Sequence, residues 1–219
     1  VLRIGILKIY ARNLMSALIS AYQDKYPGIQ VVVEEGNAKE IIRTLLDDKT
    51  ELGLIATASF TPPQLNVIPY FQEETILVLP NWHPLSKKKI ISLKDLGNEA
   101  LIVRERGATS REFIMEKYRE AKIVPRILIE ISNPLFIIEQ VEAGKGIAFI
   151  AKSFLKEHLK RGSLKARPLA EGPFTIDIGI AHSKNRTLSP AARAFMELMI
   201  ERKNGLISTK ATRPLTGAD

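Results

Sequence analysis

The chain has no cysteine. That excludes disulfides, thiolate nucleophiles and sulfur metal ligands, and it fits a reducing cytoplasm as well as a cysteine-poor periplasm. Histidine is scarce: His83, His158 and His182 stand far apart, without ligand-like spacing. Nothing in the sequence suggests a metal cluster or a nucleophile–base pair, so no metal, no cofactor and no enzymatic activity are expected. His83 lies in a loop before Pro84, and the other two histidines are expected at the surface. Aromatic residues make up 6% of the chain, an ordinary share for a globular protein, and they are not interleaved with the dense basic groups as single-stranded nucleic acid binding requires. No apolar run approaches the roughly 18 to 20 residues that cross a bilayer, and no basic, apolar signal segment precedes the first strand, so no membrane partner is expected. The chain opens on Val1 rather than methionine, which suggests that something upstream has been cut away.

The formal charge of +8 arises from 32 Lys and Arg against 24 Asp and Glu. A polyanion surface needs such charge concentrated, whereas here it is mostly spread out. The densest groups are Lys87 to Lys89 and the series Lys152, Lys156, Lys160, Arg161, Lys165 and Arg167. They read either as solvated basic faces or as contacts for nucleic acid or an acidic partner. At 219 residues the chain suits one large domain or two lobes of about 100 residues each.

A repeat favours two lobes. Residues 1–60 run through apolar strand (Leu2 to Leu7), amphipathic helix (Leu14, Leu18, Ala21 and Tyr22 at helical spacing, stopped by Pro27 and Gly28), strand (Ile29 to Glu34), capped helix and strand (Leu52 to Ala56). Residues 100–150 repeat that order, with strands at Leu101 to Val103, Arg126 to Ile131 and Ile147 to Ile150. Alternating strands and helices pair in parallel through right-handed crossovers, which predicts an α/β fold of two Rossmann-like lobes around a cleft. Capping boxes are expected at Asn37 with Glu40 and at Thr109 with Glu112, and caps at Ser92, Asn133 and Ser153. Val67 to Phe71 and Thr75 to Leu79 read as two strands, and Leu164 to Leu169 as an outer one. Phe174, Ile176, Ile178 and Ile180 alternate with small or polar residues in a long strand that could return the chain to the first lobe. Ser189 and Pro190 start a last helix, and from Lys203 onward a polar, disordered tail is expected.

The motifs Leu2-Arg-Ile-Gly, Tyr26-Pro-Gly-Ile-Gln-Val, Glu35-Gly-Asn37, Leu52-Gly-Leu-Ile-Ala, His83-Pro-Leu, Ala143-Gly-Lys-Gly-Ile-Ala and Leu188-Ser-Pro-Ala-Ala-Arg-Ala-Phe occur in that order. Together the set resembles the effector-binding domain of LysR-type transcriptional regulators. The resemblance implies a type II periplasmic-binding-protein fold with two crossing strands as hinge. The first lobe would comprise residues 1–79 plus 177–202 and the second residues 80–176, with 203–219 as tail. It also implies a small-molecule effector between the lobes, a cytoplasmic location, a homodimer or homotetramer, and promoter DNA held through an N-terminal winged helix-turn-helix that this fragment lacks. Met15, Ile19 and Val33 are candidates for the dimer contact or for the local core.

Effector candidates follow the strand ends. Where many family members place hydroxyl residues after the first strand, this chain has Leu7, Lys8, Ile9 and Tyr10. Lys8 either supplies a charge or faces solvent, and Leu7 and Ile9 fill the cleft. Asn37 and Thr57 sit at matching cleft positions, though capping alone would explain Asn37. Glu105-Arg-Gly-Ala-Thr-Ser-Arg111 resembles the family's glycine-containing loop, in which Thr109 and Ser110 would receive an oxyanion at the helix start and Arg106 or Arg111 would add charge. Ser132 and Asn133 face the same cleft or simply cap the next helix. A stand-alone solute-binding protein of a transporter uses the same fold and is the alternative function. A scaffold with a vestigial cleft is a third reading, kept open by the apolar Leu7 and Ile9.

Overall fold

The apolar runs of the first sixty residues form parallel strands because their crossovers are helical. β1 (Leu2–Leu7) pairs with β2 (Val31–Gly36) on one side and β3 (Leu52–Ala56) on the other. The computed structural model describes residues 1–57 and 61–207. α1 (Lys8–Tyr10) passes through one π-helical turn (Ala11–Met15) into α2 (Ser16–Lys25), so the first crossover is a broken helix rather than a uniform one. α3 (Ala38–Leu46) begins at the expected capping box, with Asn37 accepting from the Glu40 amide and the Glu40 carboxylate accepting from that of Asn37.

The second unit repeats the arrangement. β5 (Ala100–Arg104) lies between β6 (Arg126–Ile131) and β7 (Ile147–Ala151), all parallel. α4 (Thr109–Glu120) and α5 (Pro134–Glu142) make the crossovers, and α6 (Lys152–Lys160) leads to β8 (Leu164–Arg167). Two caps fall elsewhere than the sequence suggested. Ala108, not Thr109, is the N-cap of α4 and supplies no side-chain cap. α6 starts two residues early, after Ala151, and the Ser153 hydroxyl and amide are drawn to Glu73 instead. Ser92 does cap a 3-10 turn at Leu93–Leu96, and Asn133 caps α5.

Two long antiparallel strands join the units. β4 (Leu65–Pro80) is continuous where two strands were expected, since a register shift between Pro69 and Phe71 absorbs the irregularity without breaking the strand. It pairs with β9 (Phe174–Ser183) from Leu65 to Thr75, then with β8 from Leu77 to Pro80, while its other edge takes β7 from Thr75 to Val78. β9 in turn pairs with β3. The ladder thus runs unbroken in the order β2-β1-β3-β9-β4-β7-β5-β6, with β8 on β4.

Hydrophobic packing divides where the ladder does not. One cluster gathers Ile4, Leu18, Tyr22, Tyr70, Ile178 and Phe195, and others gather Leu77, Leu101, Tyr118 and Phe174 or Val78, Ile138, Ala148 and Leu155. Half-buried Ile9 packs against both the first and the last of these. α7 (Pro190–Ile207) covers the first cluster, held by Tyr22 Oη donating to Ala191 O and Tyr70 Oη donating to Met199 O, each at 2.9 Å. The helix continues past Lys203, where a tail was expected, and residues 208–219 lie outside those described. Met15, a candidate surface residue, is 1% exposed in this core, whereas Ile19 and Val33 are half-buried.

Phe195 is fully buried and sits edge-on to Tyr22 at a 5.1 Å centroid distance. Phe195→Ala is expected to cost about 3 to 5 kcal/mol, read as a lower urea midpoint; a loss below about 1 kcal/mol would show that α7 contributes little to this core.

Candidate functional site

The carboxyl ends of β1, β2 and β5 meet the middle of β4 and β9 around a cavity of about 570 Å³, including the space open to solvent at its mouth. Such a position, outside the carboxyl ends of parallel strands, is where α/β proteins bind ligands. Lys8, Ile9, Asn37, Thr109 and Ser110, five of the residues proposed from sequence, line it. Thr57, Arg106, Ser132 and Asn133 do not. Thr57 is occupied by the Asp177 carbonyl, which accepts from both its amide (2.8 Å) and its hydroxyl (3.1 Å). Arg106 is exposed, its amide donating to Glu130, and exposed Asn133 caps α5 beside exposed Ser132.

Two contacts cross the mouth between the units. Lys8 Nζ lies 3.8 Å from Glu105 Oε1. Gly107, at φ +89°, approaches Asn37 so closely that a Cβ there would stand 3.3 Å from the Asn37 amide oxygen. A side chain at Gly107 would be strained by its backbone and crowded by Asn37.

Behind the mouth, charges hold the loop between β5 and α4 in place. Arg104 is 8% exposed, lines the cavity, and grips Glu105 with Nε at 2.9 Å and Nη2 at 3.2 Å. Arg111 turns away from the cavity, donating to Arg104 O at 2.8 Å and pairing with Glu130 at 2.6 Å. The α4 N-terminus that this loop presents carries Thr109 and Ser110, and Ala108 cannot cap it. Replacing a capping side chain by alanine generally costs about 1 kcal/mol, so an acceptor placed there from solution meets donors that the protein has not satisfied with a side chain. α3 differs, because Asn37 and Glu40 already cap it.

Sequence reasoning missed Arg104, Glu73 and Thr75, which also line the cavity. A charge ending the apolar run Ala-Leu-Ile-Val-Arg104 and the polar break Gln72-Glu-Glu-Thr75 within an apolar strand were the available signals. Glu73, 7% exposed, accepts from Ser153 N (3.1 Å), Ser153 Oγ (2.5 Å) and Tyr10 Oη (3.3 Å). Burial pushes its carboxyl up, the Ser153 and Tyr10 hydrogen bonds oppose that, and the neighbouring Glu74 charge adds to it. Burial, with Glu73 alongside, raises the Tyr10 phenol well above its ordinary value.

The histidines do not converge. His83 caps a 3-10 turn and faces Glu99, His182 meets Asn66, and His158 stacks on Phe154; His158 and His182 are half-buried rather than exposed, under packing the sequence did not reveal. Several members of the basic series are engaged locally: Lys152 with Glu74, Lys160 with Glu157, and Arg167 with Ser86 O. Among the described residues no group of three or more His, Cys, Asp or Glu is placed to hold a metal, and no helix is long and apolar enough to cross a membrane.

Two α/β units around a strand-end cleft are an arrangement that small-molecule-binding domains share. The family model described as the LysR substrate binding domain matches residues 1–204, and the chain belongs to that family. It is 27% identical over 199 residues to the transcriptional dual regulator GltC of Bacillus subtilis, covering 91% of this chain and 66% of GltC. It spans about half to two thirds of the length of such curated relatives, which are transcriptional regulators. Among solved structures it is similar to the regulatory domain of CcmR from Synechocystis in complex with 2-PG, with TM-score 0.84, 22% identity and coverage of 92% of this chain and 96% of that one. The effector-binding domain of QuiR in complex with shikimate gives TM-score 0.82 and 22% identity, covering 93% and 97%.

Because burial raises the Glu73 carboxyl, folding favours its protonated form. That contribution is present below the ordinary value of 4.5 and is lost as pH rises through the folded-state value. Urea unfolding of the wild type and of Glu73→Gln across this range should show the wild type losing stability relative to the variant as pH increases; a constant difference would mean the shift is absent.

Proposed function

We propose that this chain is the ligand-sensing regulatory domain of a LysR-type transcriptional regulator, and that it binds a small anionic metabolite in the cleft. The observation that carries this reading is the uncapped α4 N-terminus, with Thr109 and Ser110, opening into the same cavity as Lys8 and Arg104. Backbone donors, hydroxyls and two cations around one cavity suit a carboxylate, phosphate or sulfur oxyanion. The binding of 2-PG by CcmR and of shikimate by QuiR on this fold supports the same class of ligand. Of the candidate contacts, Lys8, Ile9, Asn37, Thr109 and Ser110 belong to this site, with Arg104 added.

Two lobes would close on the ligand, meeting where β4 exchanges β9 for β8 near Thr75 and where β9 passes from Phe174 to Ile178. The packing change on β4 falls a few residues before the 79/80 boundary that the sequence suggested. Closure would then bias how an attached DNA-binding domain holds promoter DNA in the cytoplasm, since a ligand shifts an equilibrium only by binding one arrangement better than another. Homology to regulators over nearly the whole chain favours this over a transporter's solute-binding protein.

Calorimetric screening of organic acids, phosphorylated sugars and sulfur oxyanions should find a ligand, and Thr109→Ala with Ser110→Ala should weaken it by about tenfold, the effect of one or two lost hydrogen bonds to a charged group. Uniform silence in the screen would reject the reading, and unchanged affinity would remove α4 from the site. A homodimer could use the exposed edge of β6, where Ile127 is 41% and Leu128 54% exposed; sedimentation should show a dimer, and a monomer at high concentration would reject that contact.

A further inference from the structure

Glu73 is a carboxylate without a cation. Lys152, on the neighbouring helix turn, pairs with Glu74, and Lys8 pairs with Glu105. Among the described residues no Lys, Arg or His lies within ion-pair distance of Glu73, although it is buried and lines the cavity. Its three hydrogen bonds come from two residues far from it in sequence: Tyr10, in α1 after β1, and Ser153, in the first turn of α6, meet Glu73 on the crossing strand β4.

In all three bonds Glu73 is the acceptor, which fixes what the carboxylate offers. An ionised carboxylate has about four acceptor positions. Ser153 Oγ and Tyr10 Oη share Oε2, while Oε1 takes only the Ser153 amide. One acceptor position on Oε1 is therefore unfilled by protein. A second anion brought against Glu73 would be repelled, whereas a hydroxyl or ammonium proton would complete the set.

Resting on the effector-cleft reading, we propose that Glu73 reads a hydrogen-bond donor on the ligand, so that the cleft selects small acids bearing both an anionic group and a hydroxyl or ammonium. The anion lies toward Thr109, Ser110, Lys8 and Arg104, and the donor toward β4. The second requirement disfavours anions that carry no N–H or O–H donor, such as acetate, propionate and sulfate. Phe149 and Ile178 also line the cavity, supplying apolar surface for a compact carbon frame.

The test measures paired probes on the whole chain: glycolate against acetate, lactate against propionate, and shikimate against cyclohexene-1-carboxylate. Calorimetry at pH 7.5 should show at least one hydroxylated member binding about tenfold more tightly than its deoxy partner, the effect expected of one hydrogen bond to a charged group. Glu73→Gln is isosteric and should bring that ratio to within about twofold, and Tyr10→Phe, which removes only a protein donor, should keep it. Because the ratio is taken within each variant, a general loss of stability does not move it, and thermal unfolding confirms that each variant is folded. Equal affinity within every responding pair, or a ratio unchanged in Glu73→Gln, overturns the proposal and leaves the effector cleft standing. Silence from every probe overturns the cleft reading and this proposal together.

Discussion

The fold depends on β4 and β9 remaining paired through the middle of the molecule, where both strands leave one hydrophobic cluster and enter the other. A strand crossing a solvent-reachable gap cannot be apolar throughout, yet its backbone groups must stay hydrogen-bonded. The two strands meet both demands by pairing with each other: Gln72, Glu73 and Glu74 on β4 stand opposite Asp177, Ile176 and Thr175 on β9. Gly179 permits the close approach further along, since a Cβ there would fall 2.4 Å from Val67 Cγ1. Each unit then adds its own three parallel strands to this shared pair, which is why the ladder is continuous and the packing is not.

That constraint explains why the site is where it is. The parallel strands of both units end facing the polar stretch of the crossing pair, so the loops after β1, β2 and β5 are brought together without a dedicated element to hold them. What does cross the mouth is slight. A partly exposed ion pair such as Lys8 with Glu105 contributes about 0 to 1 kcal/mol, and the Asn37 approach to Gly107 is a van der Waals contact. Half-buried Ile9, touching both sides, adds an apolar contact rather than a lock. A cleft held this weakly can be biased by a ligand of ordinary affinity, because the energy needed to change its population is small.

The repeat, the parallel strands and the caps at Asn37, Ser92 and Asn133 were legible because each is a local statement, made by periodicity or by a residue and its neighbour three positions on. The departures have two physical origins, long-range partners and local helix geometry that spacing does not encode. Ser153 reads as a cap until Glu73, eighty residues earlier, takes its hydroxyl and amide. Thr109 with Glu112 has the spacing of a capping box, but the turn begins at Ala108 and leaves Thr109 inside the helix. Met15, left open between a dimer contact and the core, falls in the core at the end of the π-helical turn, which shifts the helical phase by which the buried face would be counted. At the cavity, Lys8, Ile9, Asn37, Thr109 and Ser110 were legible from their places after strand ends, whereas Glu73 and Thr75 on the crossing strand and Arg104 at the end of β5 were not. Glu73 and Arg104 acquire meaning only once it is known that two distant segments flank the same cavity.

The charged chain around the β5–α4 loop limits how an anion can enter. Glu105 is shared: Arg104 grips it from behind and Lys8 faces it from across the cleft. An anion that approaches either cation competes with a carboxylate already in place, so Coulomb attraction alone gains little by the exchange. The donors at the α4 N-terminus face no such competitor, and an acceptor held there gains new hydrogen bonds rather than replacing old ones. Under the proposed reading, Lys8 would act by geometry more than by charge. If it leaves Glu105 for the ligand, the ion pair spanning the two units is replaced by one that passes through the ligand, and the cleft's preferred closure becomes a property of what occupies it.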